Sequence, residues 1–193
     1  MEDKLILVNL RDEEIGTCGK MEAHEKGLLH RAFSIFVFCK NSETGKVDKL
    51  LIQRRAAGKY HSAGKWANSC CSHPRIGENL MQAASRRLPE ETGITIERCP
   101  LIEAGSFIYR AEFENGLTEY EYDHVLIGVL HDNKGKTASV DSDSLFVRNP
   151  EEADEMKFVA LDQLMEDVKN SPEKFAPWFI TALPMAMNRW NKE

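Results

Sequence analysis

One stretch of helical periodicity stands in the middle of the chain, flanked on both sides by runs that read as strands. From Glu78 to Glu91, residues Leu80, Ala83, Ala84, Arg87 and Leu88 recur at i, i+3 and i+4, the spacing that gathers one face of a helix. Gly93 is a natural stop. Pro89 lies inside the stretch, where proline costs roughly 3 kcal/mol, so a kink or a short last turn is expected. Before this helix, strand-like runs at Leu5 to Leu10, His30 to Cys39, Val47 to Gln53 and Trp66 to Ser72 are separated by a polar turn near Asp12 to Gly19, a hairpin loop at 41–45 and a loop at Ala57 to Lys65. After it come strands at about Leu101 to Phe113 and Glu119 to Leu130, joined through Glu114-Asn115-Gly116, and a last one at Met156 to Ala160. Two helices close the chain, one with Asp162 as N-cap and one opening at Pro177. The stretch Ala138 to Asp154 is acidic and irregular. Strands, a helix, more strands and then helices predict a mixed α/β domain. At 193 residues, that domain takes the whole chain, 1–193.

Charge bounds the partners. There are 25 Lys and Arg against 31 Asp and Glu, a net charge of −6, which argues against a general nucleic-acid coat or a basic membrane-binding patch. A locally positive pocket for a small anion remains compatible with it. The longest apolar stretch, Ala32 to Cys39, is far shorter than the ~20 residues a membrane span requires. Met1-Glu2-Asp3-Lys4 lacks the basic start of a signal peptide. Five cysteines, an odd count, fit reduced thiols better than a disulfide framework. A cytoplasmic location and no nucleic-acid or membrane partner are the expectations.

Ser69-Cys70-Cys71-Ser72-His73-Pro74 is the most informative run. On a strand, residues two apart share a face, so Cys71 and His73 point one way and Cys70 the other. Glu119 and Glu121 form a second period-two pair in a predicted strand. Two more histidines, His24 and His30, precede and open the second strand. Three neutral imidazoles and two carboxylates make a borderline N/O set suited to Mn²⁺, Fe²⁺ or Zn²⁺. Taken singly, each has a plainer reading, the histidines as hydrogen-bonded bystanders and Cys70-Cys71 as small buried hydrophobes. His61, His124 and His131 keep that plainer reading.

The helical stretch also carries a box. Five residues separate Ser72 from Glu78, and seven more lead to Arg86-Arg87-Leu88-Pro89-Glu90-Glu91-Thr92-Gly93-Ile94. Residues 72–94 resemble the Nudix signature G-x5-E-x7-R-E-U-x-E-E-x-G-U, whose helix presents acidic side chains that hold Mg²⁺ on a diphosphate. Ser72 replaces its first Gly, and Arg87 the Glu after Arg86. A missing carboxylate should cripple a hydrolase site, whereas an arginine there can grip phosphate directly. With Lys20-Met21-Glu22-Ala23-His24, Gly27 to Ser34, Gln53-Arg54-Arg55-Ala56, Asn68 to Pro74, Glu119-Tyr120-Glu121 and Ala176-Pro177-Trp178-Phe179, the chain resembles one Nudix branch, the type 1 isopentenyl diphosphate isomerases.

That resemblance implies a Nudix-like mixed β-sheet sandwiched between helices, with an extra N-terminal strand and C-terminal helices. It implies interconversion of isopentenyl and dimethylallyl diphosphate in isoprenoid biosynthesis, by protonation at one end of the allylic system and deprotonation at the other. Cys71 and Glu121 would be the acid–base pair, with either as the proton donor, and Tyr109 would assist near Glu121. His24, His30, His73, Glu119 and Glu121 would hold one divalent cation (Mn²⁺, Zn²⁺ or Mg²⁺), and Glu91 a second, Mg²⁺, bound with the diphosphate. Lys20, Arg55, Lys59 and Arg87 would contact phosphate and Trp178 would cover the hydrocarbon, in a monomer or weak homodimer. The competing readings are a Nudix hydrolase acting on a nucleoside diphosphate derivative, motivated by Glu78, Glu90 and Glu91, and a non-catalytic metal-stabilised binding module.

Overall fold

The computed structural model describes residues 4–132, 135–139 and 145–190. Its centre is β3 (His30–Lys40), whose residues are buried almost throughout, as expected of a strand covered on both faces. The odd residues Phe33, Ile35, Val37 and Cys39 pack into one apolar cluster, the even residues Phe36 and Phe38 into another. The period of two thus sorts one strand into two cores.

Among the described residues, nine strands form one mixed sheet around β3. β1 (Lys4–Val8) pairs antiparallel with β2 (Glu14–Gly19) and touches β3 at Leu7 and His30. β4 (Val47–Arg55) pairs antiparallel with β3, with the two-residue β5 (Trp66–Ala67) and with β9 (Ala153–Ala160). β6 (Cys70–Ser72) runs antiparallel to the other part of β3. β7 (Leu101–Glu112) forms a long hairpin with β8 (Thr118–Val129), and β8 runs parallel to β3 with His30 opposite Glu121.

Helices cover both faces. α2 (Leu80–Thr92) brings Ala83, Ala84 and Leu88 onto the odd face of β3. Asn79 caps it, accepting from the Gln82 N–H while the Gln82 side chain accepts from Asn79 N–H, the reciprocal arrangement of a capping box. The helix continues past Pro89 to Thr92, and the Gly93 N–H returns to the Pro89 carbonyl. On the even face, α4 (Pro177–Trp190) packs Trp178, Phe179, Ala182, Leu183 and Ala186 against Phe36, Leu50 and Ile52. α3 (Leu161–Asn170) precedes it, separated by a short 3₁₀ turn at Pro172–Lys174.

Three local expectations need correction, and one further helix joins them. The polar turn near Asp12 to Gly19 is shorter, because Glu14–Gly19 pairs with β1 as β2. A seven-residue helix, α1 (Lys20–Lys26), follows it and ends where Gly27 takes φ 59, the left-handed conformation that glycine adopts freely. The run Trp66 to Ser72 is two strands, since buried Asn68 and Ser69 turn their side chains to backbone carbonyls of Ile35, Cys70 and Leu51. Asp162 lies in the first turn of α3, and Ala160 is its N-cap. Of the stretch Ala138 to Asp154, residues 140–144 lie outside the described part. Residues 145–152 form no strand, and Val147 and Asn149 hydrogen-bond to the end of α2.

Candidate active site

One cavity of about 630 Å³ opens where β6, β8, α1 and the 56–65 loop meet, lined by Lys20, Arg55, Lys59, His61, Cys71, His73, Arg87, Glu119, Glu121, Glu152 and Trp178 among others. Strand alternation decides what faces it. Cys71 lines the cavity, while Cys70 is fully buried in the core beneath α2. All five cysteines are free thiols. Burial, opposed by the Arg55 guanidinium whose Nη1 lies 3.8 Å from Sγ, pushes the Cys71 thiol up and keeps it protonated.

At one end of the cavity lie the imidazoles. His24 donates from Nδ1 to the Lys20 carbonyl at 2.7 Å, and His30 from Nδ1 to the Leu28 carbonyl at 2.8 Å. Each bond fixes the tautomer and leaves Nε2 with a lone pair. His73 Nε2 is 2.9 Å and His30 Nε2 3.4 Å from the same Glu121 oxygen. His24, His30 and Glu121 each offer a ligand atom within 4.8 Å of the other two. Tyr109 donates to the other Glu121 oxygen at 2.6 Å. Burial opposes the Glu121 charge, but the His30 and His73 imidazoles against it outweigh burial and hold the carboxyl well below its usual range. Glu119, buried beside that charge, is pushed well above it. Burial lowers His24 to about 4 and His73 to about 3, so both are neutral.

The other end carries cations already engaged. Arg87 contacts Glu90 from Nη1 at 2.7 Å, and Glu91 and Glu152 from Nη2 at 2.6 and 2.9 Å. Lys59 contacts Glu152 at 2.5 Å. The Nε atoms of Arg55 and Arg87 are buried without a hydrogen-bond partner. Arg55 also stacks its guanidinium 5.1 Å from the Trp178 ring centroid, and the Trp178 indole donates to Asn68 Oδ1 at 3.0 Å. Glu91 sits outside the lining, 2% exposed, against Arg87 and Gln53. Glu78 is bound by Arg86 through two hydrogen bonds of 2.7 and 2.8 Å.

All sequence-predicted site residues except Glu91 therefore meet at the cavity or its imidazole end. Three residues escaped prediction. Glu152 joins Lys59 to Arg87, Asn68 ties Trp178 to β3 and β6, and His61 lies in the cavity wall rather than apart from it.

The NUDIX domain family model matches residues 28–179. The chain is 48% identical over 183 residues to isopentenyl-diphosphate Delta-isomerase 2 of Aromatoleum aromaticum, covering 95% of this chain and 86% of the relative. It is 42% identical to the isopentenyl-diphosphate Delta-isomerase of Serratia proteamaculans over 98% and 97% of the two. The chain belongs to the NUDIX family, in its isopentenyl-diphosphate Delta-isomerase branch. The NUDIX fold is also seen in solved structures of a MutT protein from Methanosarcina mazei (TM-score 0.56, 21% identity, 84% of this chain and 96% of that one) and the C. elegans Ap4A hydrolase (0.54, 16%, 84% and 98%). Within this NUDIX chain, no helix among the described residues is long and apolar enough to cross a membrane.

Proposed function

We propose that this chain interconverts isopentenyl diphosphate and dimethylallyl diphosphate by an allylic proton shift. The observation that carries the reading is the placement of Cys71, a protonated thiol, and Glu121, a carboxylate, on different strands but in the wall of one cavity. An unactivated alkene is a poor base, so its protonation needs a donor held within reach in a site that excludes water. Cys71 and Glu121 form the acid–base pair, and Tyr109 holds the Glu121 carboxyl in place. Trp178 covers the hydrocarbon, and an indole face stabilises a desolvated cation by roughly 2 kcal/mol.

The residues present fit a divalent cation. His30 Nε2 is buried without a hydrogen-bond partner and faces Glu121, and one Glu119 oxygen is likewise unpartnered. A lone pair beside an ionised carboxylate calls for a proton or a metal between them. His24, His30, His73, Glu119 and Glu121 hold this cation, which when bound neutralises the two buried carboxylates. Lys20, Arg55, Lys59 and Arg87 orient the diphosphate, and Glu91 would serve a Mg²⁺ carried in with it only once Arg87 turns from Glu91 to the phosphate. With Glu78 bound to Arg86, and Glu90 and Glu91 to Arg87, the acidic groups of a hydrolase are spent on arginines. Metal-replete protein incubated with isopentenyl diphosphate should yield an acid-labile allylic diphosphate. Phosphate release from nucleotides with no such product would overturn the reading in favour of a hydrolase.

A further inference from the structure

His61 reaches the cavity from the loop between β4 and β5, with its side chain 3% exposed. Its Nε2 is 2.9 Å from Glu119 Oε1, the same separation that joins His73 to Glu121. Its ring stacks 5.9 Å from that of His24. His24, His61 and Glu119 form a second triad whose ligand atoms all lie within 4.8 Å of one another. Its own Nδ1 and the second Glu119 oxygen are buried with no hydrogen-bond partner. Two polar groups are thus placed together in a dry wall without the bonds that would make the burial worthwhile.

We propose that His61 is a further ligand of the divalent cation, so that the site is a cage of four histidines and two glutamates. The inference rests on the cation site proposed above and adds a residue to it. The two triads share His24, and its Nδ1 is committed to the Lys20 carbonyl. A neutral imidazole nitrogen has one lone pair, so the triads describe one widened site rather than two separate ones. A fourth imidazole biases the cage toward metals that prefer nitrogen, Zn²⁺ and Co²⁺, over the oxygen-preferring Mg²⁺ and Mn²⁺. The competing role for His61 is to hold Glu119 by a hydrogen bond alone, as a positioning residue.

The two roles separate when chelator-treated full-length protein is titrated with Co²⁺, followed by its visible absorption, and with Mn²⁺ in parallel. His61→Gln keeps a donor for Glu119 but is a poor ligand. If His61 binds the metal, His61→Gln and His61→Ala both weaken Co²⁺ by more than the about 10–100-fold typical of outer partners, weaken Mn²⁺ less, and alter the absorption. An absorption spectrum and Co²⁺ affinity unchanged in His61→Gln overturn the proposal while leaving the cation site standing. Wild-type protein that binds no Co²⁺ overturns both. X-ray absorption of the wild type with one equivalent of Zn²⁺ needs no variant: four imidazoles support the cage, and three overturn it.

Discussion

At one end of the cavity four imidazoles crowd two carboxylates, with buried atoms left unpaired. At the other, each of Lys59 and Arg87 already has a carboxylate at 2.5–2.9 Å. The first arrangement gathers groups that could hold a metal. The second is paired as it stands, and the diphosphate binding proposed above would take Lys59 and Arg87 away from Glu152. A buried charge without a partner costs several kcal/mol, so the two ends handle charge differently: one gathers donor groups that could hold a metal, the other pairs its cations with internal acids.

Turnover should depend most on the imidazole end. Removing divalent metal by chelation should abolish turnover, and Mn²⁺ or Zn²⁺ should restore it; full turnover in metal-free protein would mean the imidazole end is complete as it stands. Between the ends, Cys71→Ala should lower turnover by about 10²–10⁴-fold, the scale of a lost general acid or base, while Cys70→Ala keeps most of it. Equal losses in the product assay would assign the wrong thiol. At the paired end, Lys59→Ala and Arg87→Ala should raise KM by about 10–100-fold, as expected for a charged hydrogen bond of about 1.5–3 kcal/mol. Steady-state kinetics showing kcat falling with KM unchanged would place these cations in the transition state instead.

The smallest effect belongs to a carboxylate outside both ends. Arg86 lowers Glu78 from 4.5 to about 2, so the ion pair contributes stability fully above pH 4.5 and loses it as pH falls toward 2. Glu78 is 22% exposed in its side chain, and solvent screening leaves about 1 kcal/mol. Urea unfolding should show Glu78→Gln less stable than wild type by that amount at pH 7, with the gap narrowing at pH 3. A gap that widens on acidification would contradict the pairing.

What was legible in the sequence follows the length of each pattern. β3 and β8 are long runs rich in β-branched and aromatic residues, and Glu119/Glu121 inherit their shared orientation from strand alternation, whereas Cys71 and His73 straddle the end of the three-residue β6 and still line one cavity. β2 and α1 are six and seven residues long and mostly polar, too short for a period to emerge, and their form is imposed by pairing with β1 and by the Gly27 cap. His61 and Glu152 come from loops, where no periodicity says which way a side chain points. The one local signal for His61 was its place two residues after Lys59, already expected in the site. Asp162 had the right chemistry for an N-cap, but β9 runs to Ala160 and the helix begins at once, leaving it inside the first turn.

The parallel pairing of β3 with β8 has a consequence for how the protein folds. His30 and Glu121 are register neighbours, yet β4, β5, β6, α2 and β7 all lie between them in the chain. Such long-range contacts close slowly, because loop entropy is spent before they reward it. If this pairing forms late, His30 and Glu121 meet only once the rest of the sheet is in place. A metal that binds only this finished arrangement stabilises the native state by mass action and holds it against unfolding, while leaving the rate of folding nearly untouched. Such an ion would act as a latch closed after assembly, not as a seed around which the chain assembles.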